Sequence, residues 1–266
     1  MKLSIITLNL NNAAGLQKTI ESVVNQTFTD YEYIIIDGGS TDNSVDVIKQ
    51  YADKITYWVS EPDKGIYHAM NKGILEAKGV YCLFLNSGDY LYNENVLFDF
   101  SIDLSGYDIV FANVFYIHGD HDFLMKYDYQ MTIENFVLYG LPHSSGAVIK
   151  RSCFQTVGYY IEELKISSDW CWYLKAIFWH KMTYKYKPIV LGYYEDTGLS
   201  SNLNNRKLLF DERKTFCEQM FPGVYDLIEE KKYLELKIKE KEIVEKSIKA
   251  LIRQLFSLTK KRLFAK

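Results

Sequence analysis

Hydrophobic residues in the first part of the chain form two kinds of pattern, short continuous runs and stripes with helical spacing. Short apolar runs between turn residues are typical of strands buried on both faces, whereas apolar residues three or four positions apart predict amphipathic helices. Strands are therefore predicted over residues 3–7, 33–37, 55–60 and 80–85, and helices over residues 13–26, 45–51 and 66–77. Three strand–helix units in succession predict an α/β fold with a parallel, doubly wound sheet, whose ligand site lies beyond the carboxyl ends of its strands.

The second half of the chain has a less regular pattern. Strands are predicted at residues 108–116 and 189–194, with a helix at 170–179 between them. No glycine or proline follows Gly223, which predicts one long helix or a pair of helices to the end of the chain. We interpret residues 1–100 and 101–222 as two halves of one domain, and residues 223–266 as a helical tail.

Composition limits the class of protein without selecting its chemistry. With 266 residues, 48% apolar residues and four prolines, the chain is too rich in core material to be mainly disordered. The four cysteines lie far apart in no zinc-like spacing, which favours a reduced cytoplasmic interior. The first ten residues lack the features of a signal peptide, and no apolar run approaches the roughly 18 residues of a membrane span. Any membrane contact is therefore expected to be peripheral.

Charge is distributed unevenly along the chain. Residues 231–266 contain twelve Lys or Arg and four Glu, whereas residues 1–230 contain 19 basic and 30 acidic residues. From Val244 onward the apolar residues fall on one helical face, and no acid follows Glu245. This pattern is typical of a helix at an anionic membrane surface, and equally of a helix that packs on the domain or on another copy. Nucleic acid is a poorer candidate, because the rest of the chain is acidic.

Polar residues follow several predicted strands at the expected ligand-binding edge. Asp37 begins a Gly-Gly-Ser turn that could bind a nucleotide or simply form a tight turn and helix cap. Asp89 could bind a divalent cation or be a solvated turn residue. Asp169 precedes Trp170 and could be a proton acceptor, a helix cap, or both. The sequence contains neither GxGxxG nor GxxxxGK[ST], which argues against a dinucleotide enzyme or a P-loop NTPase.

Read together, these segments resemble the inverting family-two glycosyltransferases with the GT-A fold, especially those of capsule and exopolysaccharide synthesis. The resemblance covers roughly residues 3–200 and rests on segments that occur in the expected order. They are SIIT (4–7) with Asn11, SVVNQT (22–27), IDGGSTD (36–42), SEPDKGIY (60–67), AMNKG (69–73), FLNSGD (84–89), LPH (141–143) and SD (168–169).

The resemblance implies a Rossmann-like GT-A domain that binds a nucleoside-diphosphate sugar. Asp89 matches the last acid of the family's metal motif, which binds Mn²⁺ or Mg²⁺ at the diphosphate, and Asp169 matches the catalytic base. The remaining matches are to the donor site, with Thr7 and Asp37 near the nucleoside; these residues are Thr7, Asn11, Asp37, Asp63, Lys64, Asn71 and Ser87. The acceptor site is expected in the second half, with candidates His143, Glu195 and Asp196.

The sequence also departs from the family pattern. Leu10 stands where many relatives have a tyrosine that stacks on the base, and Gly38 replaces the second acid of a motif that reads uracil in some of them. The resemblance therefore does not fix UDP as the donor nucleotide. Asn86 and Gly88 replace acids of the metal motif. The QxxRW signature of processive synthases is absent, which predicts transfer of one sugar per encounter.

Two other functions are compatible with a nucleotide-binding α/β sheet. A sugar-phosphate nucleotidyltransferase would favour a glycine-rich, basic phosphate loop after the first strand, and residues 9–12 offer neither feature. A non-catalytic protein that senses nucleotide sugars would share the donor site without its chemistry. Release of a nucleoside diphosphate from a sugar donor distinguishes the enzyme from the sensor.

Overall fold

A mixed β-sheet runs through the first 195 residues. The computed structural model describes residues 3–102, 104–118, 121–140, 144–195, 198 and 202–263. Within this part of the chain the sheet has nine strands: β1 (Leu3–Asn9), β2 (Tyr31–Asp37), β3 (Tyr57–Ser60), β4 (Tyr81–Phe84), β5 (Tyr90–Leu91), β6 (Ile109–His118), β7 (His121–Met125), β8 (Ala147–Lys150) and β9 (Tyr184–Glu195). The helices are α1 (Ala13–Val24), α2 (Ser44–Gln50), α3 (Ile66–Glu76), α4 (Val96–Ser101), α5 (Ile133–Tyr139), α6 (Cys153–Val157), α7 (Ser168–Leu174), α8 (Arg206–Met220) and α9 (Val224–Leu263).

The order of the strands is β3-β2-β1-β4-β8-β6-β9-β5, and β7 pairs with β6. The first four strands are parallel, as the strand–helix units predict. Beyond β4 the sheet becomes mixed, because β8 runs antiparallel to both β4 and β6, while β6 and β9 are parallel. The expected GT-A type of α/β fold is confirmed, with its parallel part concentrated in the amino-terminal half.

Helices cover both faces of the parallel strands, which explains the continuous apolar character of β1 and β2. Ile5 and Ile35 belong to a buried cluster with Leu16 of α1. On the opposite face α3 approaches the sheet so closely that a Cβ on Gly73 would lie 2.4 Å from Cγ2 of Ile6. Only a residue without a side chain allows this approach, and α3 is thereby fixed against the strands.

The register of the parallel strands aligns their carboxyl ends. Asn9 of β1 is opposite Asp37 of β2, and Asp37 is opposite Ser60 of β3. The backbone N–H of Ser87, just after β4, donates to the carbonyl of Leu8. Polar residues from four consecutive strands therefore meet at one edge of the sheet.

The chain divides into two compact units, residues 1–220 and 221–266. The second unit contains α9, which is one continuous helix from Val224 to Leu263. Among the residues that the structure describes, no helix combines the length and apolar character needed to cross a membrane.

Candidate active site

Asp37 lies at the end of β2 inside a cluster of hydrogen-bond donors. Its Oδ1 accepts from Asn9 Nδ2 at 2.7 Å and from Ser40 Oγ at 2.5 Å. Its Oδ2 accepts from the Ser40 N–H at 2.9 Å and from Ser60 Oγ at 2.5 Å. Burial by itself raises the pKa of this carboxyl group, but the hydrogen bonds from Ser40, Ser60 and Asn9 outweigh it and lower the pKa below its usual value. Asp37 is therefore held as a carboxylate.

A second carboxylate lies beside this cluster, at the place left open by Gly38. A Cβ on Gly38 would lie 3.3 Å from Cδ1 of Leu10 and 3.4 Å from Oδ2 of Asp63. Oδ1 of Asp63 pairs with Lys72 Nζ at 3.0 Å and contacts Nδ1 of His68 at 3.0 Å. Asp63 thus occupies the space beside Gly38 and is oriented by a cation from α3.

The other donor-side candidates take varied positions. Thr7 is fully buried, and its hydroxyl pairs with the phenol of Tyr33 at 3.0 Å inside the core. Asn11 is exposed with φ 51°, and its Oδ1 accepts from the backbone N–H of Thr41 at 2.8 Å, which ties the end of β1 to the turn after β2. Residues with short polar side chains tolerate this left-handed conformation best. The donor-binding roles of Thr7 and Asn11 stay predictions.

Ser87 and Lys64 border the same edge of the sheet. The carbonyl of Ser87 accepts from Asn12 Nδ2 at 3.1 Å, so the amino terminus of α1 is joined to the turn after β4. Lys64 is exposed in the segment just before α3. Its side chain forms no ion pair with the described part of the chain. That either residue contributes to a donor site stays a prediction.

Asp89 is 3% exposed in the turn that follows β4. Its Oδ2 accepts from the Asn86 N–H at 3.2 Å, and its Oδ1 accepts from the Glu195 N–H at 3.3 Å. Burial raises the pKa of Asp89 well above its usual range, and the nearby negative charge of Glu195 raises it further. A bound cation would offset both effects and favour the ionised carboxylate.

Several oxygen atoms around Asp89 suit a hard divalent cation. A Cβ on Gly88, which has φ 105°, would lie 2.7 Å from Oε2 of Glu195, so the absence of a side chain makes room for that carboxylate. Oδ1 of Asn86 is buried and has no hydrogen-bond partner among the described residues. No group of three or more His, Cys, Asp or Glu side chains in that part of the chain is arranged to hold a metal. Carboxylate and amide oxygens are nevertheless the ligand types that Mg²⁺ prefers, and oxygens of a substrate diphosphate would have to complete its coordination.

Asp169 stands in the first turn of α7 and belongs to a different environment. Its Oδ1 accepts from the Trp170 N–H at 2.9 Å and from the phenol of Tyr67 at 3.1 Å. Burial raises the pKa of the carboxyl group, and the hydrogen bond from Trp170, the positive charge of Arg213 and the hydrogen bond from Tyr67 offset this only in part. A carboxylate with a raised pKa is a stronger proton acceptor, which suits a general base.

The segment before α7 is braced by α3. Nδ2 of Asn71 donates to the carbonyl of Tyr160 at 2.9 Å, and Oδ1 of Asn71 accepts from the Tyr160 N–H at 3.0 Å. Nδ2 also donates to Oε1 of Glu162 at 2.9 Å. Asn71 is thus engaged in positioning the segment that leads to Asp169, and a direct donor contact for it stays a prediction.

The acceptor candidates are only partly placed. His143 and Asp196 lie outside the described residues. Glu195 lies beside Asp89, at the candidate metal site. Tyr67, Asn9 and Ser60 are not among the site residues that the sequence predicts. Asn9 and Ser60 follow or end a predicted strand, and that position is a signal for them. Tyr67 lies inside a predicted helix, where no local pattern marks it.

The geometry defines an α/β protein with carboxylates gathered at the ends of parallel strands and a further carboxylate in the first turn of a helix. Residues 4–158 match the family model described as Glycosyl transferase family 2. The match spans more than half of the chain, and the chain belongs to this family. The family recognised in the sequence is thereby confirmed.

Similar proteins include a PGL/p-HBAD biosynthesis glycosyltransferase of Mycobacterium bovis, which is 28% identical over 215 residues covering 75% of this chain and 78% of the relative. A cholesterol galactosyltransferase of Borreliella burgdorferi is 36% identical over 90 residues, covering 33% of this chain and 25% of the relative. Both relatives are named as enzymes that transfer a sugar.

Solved structures with a similar fold include S. aureus TarS, with a TM-score of 0.62 and 20% identity over 73% of this chain and 37% of the TarS chain. TarS 1–349 in complex with UDP-GlcNAc gives a TM-score of 0.60 and 20% identity over 73% of this chain and 58% of that chain. The mannosyltransferase PcManGT of Pyrobaculum calidifontis, in complex with GDP-Man and Mn²⁺, gives 0.56 and 15% identity over 72% of this chain and 56% of that chain. At these identities the likeness is one of fold.

Proposed function

We propose that this glycosyltransferase moves one sugar from a nucleoside-diphosphate sugar to a saccharide or lipid-linked saccharide of the cell surface, with inversion at the anomeric carbon. The observation that carries the proposal is a contrast in hydrogen bonding. Asp37 accepts four hydrogen bonds at the strand ends, whereas Asp169, at the start of α7, accepts two from other described residues, both on Oδ1. Membership of the family and two structural neighbours with bound nucleotide sugars support a donor of this class.

The nucleoside is proposed to lie over the edge formed by Asp37 and Asp63. Asp37 is fully buried and each of its oxygens already accepts two hydrogen bonds, so its proposed role is to hold the Asn9, Ser40 and Ser60 side chains in place at this edge. Asp63 supplies a carboxylate in the space that Gly38 leaves open. Ser87 and Lys64 border this edge, and Lys64 is suited to the negative charge of the diphosphate.

The diphosphate is proposed to bind at the turn after β4. Asp89 and Glu195 would hold Mn²⁺ or Mg²⁺ there, together with oxygens of the substrate. When bound, such a cation neutralises charge that develops on the leaving diphosphate. Placing Glu195 with Asp89 assigns it to the donor side, where its backbone N–H and its carboxylate both adjoin the turn.

Asp169 is proposed to act as the general base. As the acceptor oxygen forms its bond to the anomeric carbon, its proton passes to the carboxylate of Asp169. The bond between the anomeric carbon and the diphosphate oxygen breaks, and the electron pair leaves with the nucleoside diphosphate. A single displacement of this kind inverts the configuration. Because the leaving group is already activated, the reaction needs no second carboxylic acid, in contrast to glycoside hydrolysis.

Release of nucleoside diphosphate from a panel of UDP-, GDP-, CDP- and dTDP-sugars tests this proposal. We expect one donor class to give release that requires Mn²⁺ or Mg²⁺ and stops with a chelator. The Asp169→Asn variant, purified in the same way, controls for contaminating enzymes and is expected to turn over at least about a hundredfold more slowly. Asp53→Asn, at an exposed position between α2 and β3, is expected to match the wild type.

Other outcomes select the alternatives. Formation of a nucleotide sugar and pyrophosphate from a sugar phosphate and a nucleoside triphosphate would identify a nucleotidyltransferase. Saturable donor binding with no release, in the presence of metal and a range of acceptors, would identify a non-catalytic sensor. Either result contradicts the proposed transfer. Product identified by NMR as retaining the donor's anomeric configuration contradicts the inverting mechanism alone.

We also propose that the tail unit binds an anionic membrane surface, where an enzyme with a lipid-linked acceptor would work. Leu234, Ile238, Val244 and Ile248 are at least half exposed on α9. Residues 246–266 contain seven Lys or Arg and no acid. Like charges disfavour pairing two copies of this segment, whereas anionic headgroups attract it.

Sedimentation with lipid vesicles tests the tail proposal. The full-length protein should bind phosphatidylglycerol vesicles and not phosphatidylcholine vesicles, with binding that weakens in salt. Changing Lys246, Lys249 and Arg253 to Gln should weaken binding by roughly a hundredfold, since each basic residue contributes about 1 kcal/mol. The same changes at Lys237, Lys239 and Lys241, which are interspersed with Glu235, Glu240 and Glu242, are the matched control and should weaken binding less. Equal binding to both lipids, or concentration-dependent oligomers without lipid binding, contradicts the proposal.

A further inference from the structure

The two oxygens of the Asp169 carboxylate are held differently. Within the described chain, the hydrogen bonds that reach this side chain from other residues both end on Oδ1, one from the Trp170 N–H and one from the Tyr67 phenol. As a residue Asp169 is partly exposed, while burial dominates the surroundings of its carboxyl group. With Oδ1 occupied twice, Oδ2 is the oxygen left to receive a proton from a bound hydroxyl group.

The phenol that contacts Asp169 is itself rigidly placed. Tyr67 is 4% exposed and lies in the first turn of α3. Its ring packs on Tyr160 with ring centroids 5.9 Å apart, and Tyr160 also packs on Phe84 of β4 and on Trp172 of α7. A hydroxyl group on such a packed ring can hold one geometry with little loss of side-chain entropy.

The helix that carries Tyr67 is connected to both sides of the candidate site. Gly73 seats α3 on Ile6 of β1, and Lys72 of α3 pairs with Asp63 on the donor side. Asn71, one turn after Tyr67, holds the segment before α7 through its two hydrogen bonds to the Tyr160 backbone. The position of Asp169 relative to the strand ends is therefore set through α3.

We infer that Tyr67 is a positioning residue for the proposed transfer, whose phenol fixes Oδ1 of Asp169 and so presents Oδ2 to the acceptor hydroxyl. This inference rests on the proposed function, since it needs Asp169 to be the base. Tyr67 itself exchanges no proton with the substrate. Its contribution is orientation, because a proton acceptor is effective only within hydrogen-bond reach of the group that it deprotonates.

The same contact affects the titration of Asp169. The hydrogen bond from Tyr67 favours the ionised carboxylate and lowers its pKa, as do the Trp170 N–H and the charge of Arg213, against the larger effect of burial. The titratable or charged groups that interact electrostatically with Asp169 are Tyr67 of α3, Tyr160 before α7, Cys171 and Tyr173 of α7, and Arg213 of α8. Removal of the Tyr67 hydroxyl leaves the others in place, so the pKa of Asp169 should rise.

Tyr67→Phe removes the hydroxyl group and keeps the ring, which makes it the direct test. The assay is release of nucleoside diphosphate from whichever donor of the panel the wild type uses. We expect kcat to fall about 10- to 100-fold, the loss typical of a hydrogen bond to a charged group, with the donor KM unchanged. The acid limb of the pH–kcat profile should move to higher pH.

Tyr81→Phe is the matched control. The phenol of Tyr81 is also buried and donates to backbone carbonyls of Leu104 and Tyr107, away from the strand ends. The control should lose stability to a similar extent and keep the wild-type kcat and pH profile. Thermal unfolding of both variants shows whether each folds.

Titration of the Asp169 carboxyl carbon by NMR provides a readout that needs no activity. A higher pKa in Tyr67→Phe than in the wild type, together with the selective loss of kcat, supports the inference. If Tyr67→Phe folds and keeps the wild-type kcat and the wild-type pKa of Asp169, the inference is wrong. It is also wrong if losses of donor affinity and melting temperature account for the lower rate. If the wild type releases no nucleoside diphosphate, the proposed function fails, and the NMR titration still decides whether Tyr67 holds Asp169.

Discussion

Asp37 and Asp169 show how the two sides of the candidate site hold a carboxylate in opposite ways. At the strand ends, hydroxyl and amide groups from β1, β3 and the turn after β2 surround Asp37, and its pKa is lowered despite burial. At the start of α7, two donors reach Asp169 among aromatic rings, and burial raises its pKa.

Burial alone therefore does not decide whether an aspartate stays ionised or is suited to accept a proton. A carboxylate saturated with donors remains an anion and is suited to hold those donor groups in place. A carboxylate with few donors in an apolar setting is suited to accept a proton and release it again. The two roles can therefore be assigned from the hydrogen-bond partners, and each assignment can be tested separately.

The largest expected effect is at Asp89, a buried aspartate that lies beside another carboxylate, Glu195. Asp89→Asn removes the buried carboxylate proposed to bind the cation, and we expect kcat/KM to fall by about a thousandfold or more, because charge neutralisation at the leaving group is worth several kcal/mol. Titration of Mn²⁺ followed by EPR should show weakened binding in the presence of nucleoside diphosphate. Wild-type activity and Mn²⁺ affinity in this variant would remove Asp89 from the metal site.

The pH dependence of turnover sharpens the contrast between the two aspartates. A general base must be ionised, and the pKa of Asp169 is raised, so activity should be lost as pH falls through a value above the ordinary aspartate pKa of about 3.9. Asp37 has a lowered pKa and remains ionised across that range. The measurement is log kcat against pH at saturating donor. A profile that is flat down to the ordinary pKa contradicts a raised pKa for the base.

A smaller effect is expected on stability at Asp37. Asp37→Asn replaces an acceptor with a group that directs an N–H toward other donors, at a cost of about 1–3 kcal/mol of unfolding free energy at neutral pH. Because the pKa of Asp37 is lower in the folded state, its contribution is present above the unfolded pKa and is lost as pH falls through the folded value. Urea unfolding between pH 7 and pH 3 should therefore show a shallower acid decline for the variant. A parallel decline in both proteins contradicts the assignment.

The smallest expected effect is at the contact between Gly73 of α3 and Ile6 of β1, which fixes α3 against the sheet. Gly73→Ala inserts a methyl group 2.4 Å from Cγ2 of the buried Ile6, and overpacking should outweigh the gain in helix propensity by about 1–2 kcal/mol. Leu75→Ala, at an exposed position of the same helix, should change the unfolding free energy little. Thermal unfolding measures both. Equal or greater stability of Gly73→Ala would show that α3 can move away from the sheet.

How well the sequence predicts each feature depends on how far apart along the chain the residues that form it lie. The parallel strands and the Asp37 turn arise from local patterns, and both are predicted from short segments. β8 was not predicted, because its four residues follow a short turn and pair with strands far away in the chain. The hydrogen bond between Tyr67 and Asp169 joins positions 102 residues apart, and that between Glu195 and Asp89 joins positions 106 apart. No local pattern contains such contacts, whereas the family resemblance identified Asp89 and Asp169 individually.

If donor binding and proton transfer belong to different carboxylates, Asp169→Asn should separate the two steps. The donor dissociation constant, from calorimetry with Mn²⁺ present, and the turnover number should be measured on the same preparation of this variant. We expect a dissociation constant like that of the wild type and a turnover number lower by roughly 10²- to 10⁴-fold. Turnover close to the wild-type value, in a folded variant that still binds the donor, would show that Asp169 is not the base.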